Sequence, residues 1–334
     1  MVSQLTASTN GNGAAGSALP LLRGLPPHLA TRIKGQTQVL GRVASVLTRG
    51  EMGFANPRRP KGSFLFVGPT GVGKTETTNV FTAYLFDGAE PIRFDMSEYQ
   101  LQKSVDKLIG ENASDPGLLG RALRGASHGT LLFDEIEKAH TLVLDLFLQI
   151  LEDGRITLAT GETLNLTGFY VVFTSNIGSA EVMRMVSAPF ATVERTVLMR
   201  VGQQLRPELF GRVTEKIVFG RLDYPTQREI CEQLIAGERE RLRALGHVIE
   251  VGPDAVEFLI REGYHRTLGA RPMRGAVERY LQDAIAGSIM AGESGNGHVR
   301  VNASREGLIV EPAGTLQRET PVLTYEARPR QPLS

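Results

Sequence analysis

The sequence predicts an α/β fold, in which helices cover a parallel sheet, followed by a smaller and mostly helical domain. Between residues 30 and 220, short apolar runs bounded by Gly and Pro alternate with helix-compatible segments. Nearly continuous apolar runs of this length are typical of strands buried on both faces of a parallel sheet. Beyond Leu222 the pattern becomes mostly helical. We therefore expect a doubly wound sheet domain first and a helical lid domain second.

The elements of the sheet domain follow from β-branched and aromatic enrichment between turn residues. The clearest predicted strands are residues 63–67, 92–94, 130–134 and 170–175.

The second domain shows helix signals and two short alternating pieces. Residues 226–229 read Thr-Gln-Arg-Glu, the S/T-x-x-E form of a capping box, and predict the start of a helix. Two further helices are predicted over residues 254–261 and 272–290, and residues 299–301 and 308–310 are candidates for a strand pair.

Composition suggests four parts. Residues 1–20 carry no charged side chain and are rich in Ser, Thr, Asn, Gly and Ala, which predicts a flexible leader. The large domain is predicted over residues 21–222 and the small domain over residues 223–311. Residues 312–334 contain four prolines and are predicted to form a flexible tail.

Charge and cysteine content exclude several classes of protein. The 334 residues include 37 Lys and Arg against 36 Asp and Glu, a balance that argues against coating nucleic acid or an acidic membrane surface. A single cysteine, Cys231, allows neither an intramolecular disulfide nor a Cys-based zinc site. No apolar run approaches the roughly 20 residues of a membrane span, and no secretory signal is evident. We expect a cytoplasmic protein without a membrane partner.

The strongest motif directly follows the predicted strand 63–67 and fits the pattern G-x-x-x-x-G-K-[ST]. It consists of Gly68, Pro69, Thr70, Gly71, Val72, Gly73, Lys74 and Thr75. Glycines let backbone N–H groups turn toward phosphate oxygens, and the following helix N-terminus adds to that anion site. We expect this loop to bind ATP, with Lys74 at the β- and γ-phosphates and Thr75 as a ligand of Mg²⁺.

Polar residues follow two of the predicted strands. Residues 131–135 read Leu-Leu-Phe-Asp-Glu, so the two acids lie at the carboxyl edge of the sheet, where ligands bind. Asp134 is predicted to hold Mg²⁺ and Glu135 to polarise the attacking water. Asn176 follows the strand 170–175 and can orient that water, although an Asn here is also consistent with turn geometry.

Longer blocks of sequence point to a family. They are Gly35-Gln36, GSFLFVGPTGVGKTE at 62–76, FDMSEY at 94–99, LIG at 108–110, FDEIEKAH at 133–140, LEDGRIT at 151–157, TSNIGS at 174–179, RPELFGRV at 206–213 and LGARPMR at 268–274. Over residues 30–310 the chain resembles AAA+ ATPases of the Clp family, and specifically the second nucleotide-binding module of ClpA/ClpB-type chaperones.

This resemblance implies a Mg²⁺-dependent ATPase that assembles into a homo-oligomeric ring, expected to be a hexamer. It assigns Asn176 to sensing the γ-phosphate. Arg212 matches the arginine finger that reaches the neighbouring subunit's nucleotide, and Arg271 matches the small-domain arginine that contacts nucleotide in the same subunit. Ile33 and Gly35 match the segment that packs near adenine.

The chain departs from the family after residues 108–110. Threading members carry a Gly-aromatic-hydrophobic-Gly element there, whereas residues 111–116 read Glu-Asn-Ala-Ser-Asp-Pro and no aromatic occurs between Tyr99 and Phe133. Either the loop is degenerate and substrates are remodelled through other contacts, or this ATPase does not thread polypeptides. We favour the second interpretation. Aromatic side chains grip a moving polypeptide through their large apolar surface, and residues 111–116 offer no such surface.

The sequence therefore predicts an ATPase that remodels or switches a protein client or adaptor. No peptidase partner is expected, because no hydrophobic-Gly-hydrophobic tripeptide occurs between Asn176 and Arg206. One alternative is an ATP-gated oligomeric scaffold. The other is a nucleic-acid-handling loader, whose only support is the basic cluster at residues 58–61.

Overall fold

The computed structural model describes residues 12–292, 298–305 and 307–313. The chain divides into two compact units. The first comprises the chain up to Pro69 together with Gly73–Gly220, and the second comprises Thr70–Val72 together with the chain from Arg221.

The first unit is built on a five-stranded sheet in the order β2-β3-β6-β1-β7, and every neighbouring pair is parallel. Its strands are β1 (Gly62–Val67), β2 (Ile92–Asp95), β3 (Gly129–Asp134), β6 (Phe169–Ser175) and β7 (Glu215–Val218), while β4 (Arg155–Thr157) and β5 (Thr163–Asn165) form a separate antiparallel pair. The four predicted strands are confirmed, and the parallel sheet confirms the predicted fold class.

The first unit also contains α-helices before and between these strands. They are α1 (Asn12–Arg32), α2 (Thr37–Glu51), α3 (Lys74–Leu85), α4 (Ser104–Ile109), α5 (Gly117–Leu123), α6 (Thr141–Asp153), α7 (Ser179–Arg184), α8 (Phe190–Gln204) and α9 (Pro207–Arg212). All residues of β1 and β6 are buried. Burial on both faces is the physical reason for the continuous apolar runs that predicted these strands.

The carboxyl ends of the central strands meet at one edge of the sheet. Asp95 pairs in register with Asp134, and Val67 pairs with Ser175. Aromatic packing fixes this register, since Phe133 stacks against Phe173 with ring centroids 5.6 Å apart. The polar residues that follow these strands are therefore delivered to the same place.

The predicted flexible leader is helical over residues 12–20, because α1 begins at Asn12. Helical spacing brings Leu22, Leu25 and Leu29 into the core and gives α1 a buried face. Residues 1–11 lie outside the described residues. At the other end, Pro312, the first residue of the predicted tail, is the last residue of strand β10, and residues 314–334 lie outside the described residues.

The described part of the second unit combines four α-helices with a three-stranded sheet. The helices are α10 (Tyr224–Ala244), α11 (Pro253–Gly263), α12 (Arg271–Ala276) and α13 (Gln282–Met290), and the strands are β8 (Val248–Val251), β9 (His298–Ala303) and β10 (Leu308–Pro312). A π-helical turn over Val277–Leu281 joins α12 to α13, so the predicted helix over 272–290 is confirmed. Strands β9 and β10 pair as predicted, and the structure shows that the pairing is antiparallel.

The predicted capping box at residues 226–229 is wrong. Helix α10 begins at Tyr224, with Asp223 as its N-cap, and the Thr226 backbone N–H donates to Asp223 Oδ1 at 3.0 Å. Pro225 suits the first helical turn, because its missing N–H would have no partner within the helix. Thr226 therefore lies inside the helix as a donor to the cap.

Replacing Asp223 with alanine is expected to lower the free energy of unfolding by about 1 kcal/mol at neutral pH. Hydrogen bonds from Thr226 hold the pKa of Asp223 below its usual value. The cap's contribution is therefore complete above the unfolded-state pKa of about 4 and disappears as the pH falls through the folded-state value. Thermal denaturation at pH 7 and at acid pH measures the difference. Glu229→Ala is the control, and an equal loss in that variant would support the capping box instead.

Two further observations concern the single cysteine and the length of the helices. Cys231 is a free, buried thiol, and burial raises its pKa to about 12. None of the helices described is both long and apolar enough to cross a membrane.

Candidate active site

A glycine-rich loop connects β1 to α3 at the carboxyl edge of the sheet. Gly68 has φ +140°, and a Cβ there would lie 2.6 Å from the carbonyl oxygen of Phe219. Gly73 adopts φ +105° as the N-cap of α3. Both positions require glycine, and the 12-residue helix that follows presents its N-terminal N–H groups to the loop.

Lys74, the first residue of α3, is only 8 % exposed. Its ammonium donates to the backbone oxygens of Gly68 at 2.5 Å and Pro69 at 2.7 Å, and to Asn176 Oδ1 at 3.0 Å. A buried positive charge is thus held against the glycine-rich loop, where it complements phosphate.

Asp134 ends β3, and each of its carboxylate oxygens has a partner. The Thr174 hydroxyl donates to Oδ1, and Arg93 forms an ion pair with Oδ2 at 2.5 Å. Thr174 also accepts the backbone N–H of Glu135 at 3.1 Å. This one hydroxyl therefore fixes both acids of the predicted pair.

Glu135 adopts a left-handed backbone conformation, with φ 57° and ψ 51°. Among the described residues only Asp87 shares a positive φ without being glycine. Such conformations are strained for residues with a Cβ and are concentrated at functional positions. The turn leaves Glu135 Oε1 3.2 Å from the Asn176 side-chain nitrogen, which donates to it.

Asn176 connects the Lys74 ammonium to the Glu135 carboxylate. Its Oδ1 accepts from Lys74 and its Nδ2 donates to Glu135, so the orientation of the amide is determined by its partners. An ammonium, a polar amide and a carboxylate are assembled at one edge of the sheet. This arrangement can position and deprotonate a water molecule beside a bound triphosphate.

The residues present suit Mg²⁺ bound together with phosphate. Among the described residues, no group of three or more His, Cys, Asp or Glu side chains could hold a metal ion without further ligands. Mg²⁺ is commonly bound through one or two carboxylates and substrate phosphates, with water completing the octahedron. The predicted ligands, the Thr75 hydroxyl in α3 and the Asp134 carboxylate at the end of β3, are oxygen donors of the kind that this chemistry requires.

The remaining predicted residues lie outside the Lys74–Asn176–Glu135 cluster, although the Ile33 side chain would lie 3.9 Å from a Cβ at Gly73 and the Arg271 backbone nitrogen 3.2 Å from a Cβ at Gly71. Arg212 is the last residue of α9 and forms an ion pair with Glu152, so the chain does not use it within the Lys74–Asn176–Glu135 cluster. Arg271 is exposed at the start of α12 in the second unit. Ile33 is buried directly after α1, and Gly35 has φ +70°.

Three residues around the cluster were not predicted from the sequence to belong to the site. Thr174 and Arg93 hold Asp134, and Glu137 accepts the backbone N–H of Asn176 at 3.0 Å. Thr174 and Glu137 lie within blocks TSNIGS and FDEIEKAH, so a polar side chain in a buried strand and a third acid in that block were the available signals. No signal marked Arg93, since its partner depends on strand pairing.

The short loop after α4 is tightly held. Asp115 Oδ1 accepts the Gly117 N–H at 3.0 Å and Oδ2 accepts the Glu111 N–H at 3.3 Å, while Arg121 pairs with the same carboxylate at 3.0 Å. The pKa of Asp115 lies below its usual value, chiefly because of the hydrogen bond from the Gly117 backbone and also because of the one from Glu111. Gly110, with φ +97°, closes the turn against Asp115.

Comparison with known proteins identifies two domains in the chain. A family described as AAA domain (Cdc48 subfamily) matches residues 59–216, and the C-terminal D2-small domain of ClpB protein matches residues 222–301. Heat shock protein 100 of Trypanosoma brucei brucei is 37 % identical over 283 residues, covering 81 % of this chain and 32 % of that protein. Chaperone protein ClpB of Meiothermus ruber is 37 % identical over 300 residues, covering 87 % and 35 %.

A solved structure extends the comparison. The closed-state cryo-EM reconstruction of Hsp104 with ATPyS and FITC casein superimposes with a TM-score of 0.79 at 30 % identity, covering 88 % of this chain and 52 % of that one. The chain spans about a third of the length of the curated relatives it matches. The matched domains and these relatives show that the chain belongs to the Clp family of AAA+ ATPases, with an AAA domain followed by a small domain of the ClpB D2 type.

Proposed function

We propose that the chain hydrolyses ATP with Mg²⁺ at the carboxyl edge of the first unit's sheet. The observation that carries this proposal is the hydrogen-bonded series Lys74–Asn176–Glu135 beside the glycine-rich loop. A site that only bound nucleotide would have no need of a carboxylate held in a strained left-handed turn at this position.

Each residue of the series has a separate role. Lys74 and the N–H groups of the loop bind the phosphates, and Glu135 accepts the proton of the attacking water. Asn176 orients that water and holds the carboxylate. Bound Mg²⁺ would neutralise phosphate charge, with Thr75 and Asp134 as its protein ligands.

Replacing Lys74 with alanine is expected to weaken ATP binding about 10- to 100-fold, because charge-assisted hydrogen bonds to phosphate contribute roughly 1.5–3 kcal/mol. Titration with a fluorescent ATP analogue measures the affinity. Lys107→Ala, which removes an exposed lysine of α4, serves as the matched control. Unchanged affinity in Lys74→Ala would remove the loop from the nucleotide site.

We further propose that several copies assemble head to tail into a ring, in which Arg212 of one copy completes the site of the next. In this chain Arg212 pairs with Glu152 rather than with the Lys74 cluster, which is consistent with a role outside its own site. Hydrolysis in the assembled ring would then remodel or switch a protein partner. Hsp104, the structural relative, was solved with FITC casein.

The proposed remodelling does not use an aromatic threading loop. Residues 111–116 offer no aromatic side chain, and Asp115 fixes the loop through backbone hydrogen bonds. We expect no ATP-dependent capture and threading of the unfolded polypeptide FITC casein under conditions where ATP is hydrolysed. Fluorescence anisotropy with and without ATP makes the measurement. A sustained ATP-dependent rise in anisotropy would show that other contacts grip the polypeptide.

A further inference from the structure

Glu137 lies two residues after Glu135, the proposed general base. Tight backbone hydrogen bonds define its turn, since the Lys138 N–H donates to the Glu135 oxygen at 2.9 Å and the Ala139 N–H to the Ile136 oxygen at 3.1 Å. Ile136 is completely buried and anchors the turn in the core. The carboxylate of Glu137 is therefore directed by a rigid segment rather than a mobile loop.

The Glu137 carboxylate reaches across to the residue after β6. Its Oε1 accepts the backbone N–H of Asn176 at 3.0 Å. The Asn176 carbonyl in turn accepts from the Ser179 hydroxyl at 2.5 Å and from the Ser179 N–H at 3.2 Å. The backbone N–H and the carbonyl of Asn176 are thus both held by hydrogen bonds, to Glu137 and to Ser179.

The second oxygen of Glu137 is unusual. Among the described residues, Oε2 of Glu137 is the buried side-chain oxygen for which no hydrogen-bond partner is found. Leaving an ionisable oxygen buried and unpartnered costs free energy, so such a group requires a compensating role. The bond of Oε1 to Asn176 is the interaction that the structure offers for that role.

We propose that Glu137 is a positioning residue of the hydrolytic site, acting through Asn176. By fixing the Asn176 backbone, it sets where the amide meets both Lys74 and Glu135. The inference rests on the proposed ATPase function, but its structural part, control of Asn176, does not require hydrolysis.

The kinetic test compares Glu137→Ala and Glu137→Gln with Lys138→Ala, which changes an exposed neighbour. Alanine removes the acceptor, and displacing a catalytic group by about 1 Å can cost about 100-fold, so kcat for ATP should fall about 10- to 100-fold. KM should stay within about threefold, because Lys74 and the loop still bind phosphate. Glutamine retains an oxygen acceptor, so Glu137→Gln should recover kcat to within about threefold of the parent protein. Unchanged kcat in Glu137→Ala would overturn the proposal.

A double-mutant cycle with Asn176→Ala separates positioning from a general loss of packing. The backbone N–H persists in Asn176→Ala, so the bond to Glu137 remains while the side chain it positions is gone. Adding Glu137→Ala should then reduce kcat by less than about threefold, since coupled residues give non-additive effects. Full additivity would mean that Glu137 acts by another route and would contradict the proposal.

Amide hydrogen exchange provides a readout that does not depend on hydrolysis. Without nucleotide, the Asn176 N–H should exchange faster in Glu137→Ala than in the parent and Glu137→Gln proteins. If the parent protein hydrolyses no ATP but shows this difference, the proposed function fails and the positioning contact stands. Equal exchange in all three proteins would refute the contact itself.

Discussion

Glu135→Gln is expected to bind ATP with nearly parental affinity and to lose about 100- to 10,000-fold in kcat, the usual contribution of a positioned general base. The amide has the same shape as the carboxylate and keeps an oxygen that can accept from Asn176 Nδ2. It cannot take up the proton of the attacking water. Lys74 and the glycine-rich loop are unchanged, so ground-state binding should persist.

Phosphate release at saturating ATP, together with nucleotide titration, measures the two effects separately. Glu90→Gln makes the same chemical change at an exposed position and should leave both unaffected. Parental turnover in Glu135→Gln would assign the base elsewhere. Loss of ATP binding would show that the carboxylate holds the site together instead of acting on water.

Arg212→Ala should abolish turnover while leaving ATP affinity largely intact. A guanidinium brought to the γ-phosphate stabilises charge that develops in phosphoryl transfer, and its removal costs about 10³- to 10⁵-fold in kcat. In the proposed ring this arginine belongs to the neighbouring copy. Arg212 is an ion-pair partner of Glu152 in its own chain, which is consistent with a role at the nucleotide of another copy.

Mixing two inactive proteins tests whether the arginine acts between copies. In a mixed ring, an Arg212→Ala copy keeps its own Glu135, and a Glu135→Gln neighbour can lend it an intact Arg212. Mixed assemblies should therefore recover part of the parental activity. Mixtures that stay as inactive as their components, although light scattering shows that they assemble, would place Arg212 in its own site or outside catalysis.

The contrast between what was and was not predictable follows from sequence distance. Lys74 and Thr75 lie in one motif whose function depends on neighbours along the chain, so the pattern was sufficient. The partners of Asp134 required knowledge of the register, since Arg93 lies on β2 and Thr174 on β6. Local patterns carry no information about which strands lie side by side.

The start of α10 shows a different limit. The T-x-x-E pattern at residues 226–229 is a genuine capping signal, but Asp223 precedes it and is a stronger cap with Pro225 behind it. Two competing signals three residues apart cannot be ranked by pattern alone. Likewise the leader's composition hid α1, because the leucines that anchor the helix, Leu22, Leu25 and Leu29, lie beyond it.

The left-handed backbone conformation of Glu135 sets the stability of the fold against catalysis at one position. A residue with a Cβ is disfavoured in this conformation by roughly 1 kcal/mol relative to glycine, and asparagine tolerates it better than most. Selection for thermal robustness alone would favour Gly or Asn at position 135, and selection for turnover favours the acid. A relative that kept the fold but lost hydrolysis would be expected to carry Gly or Asn at position 135, and that substitution would mark the loss of activity in its sequence.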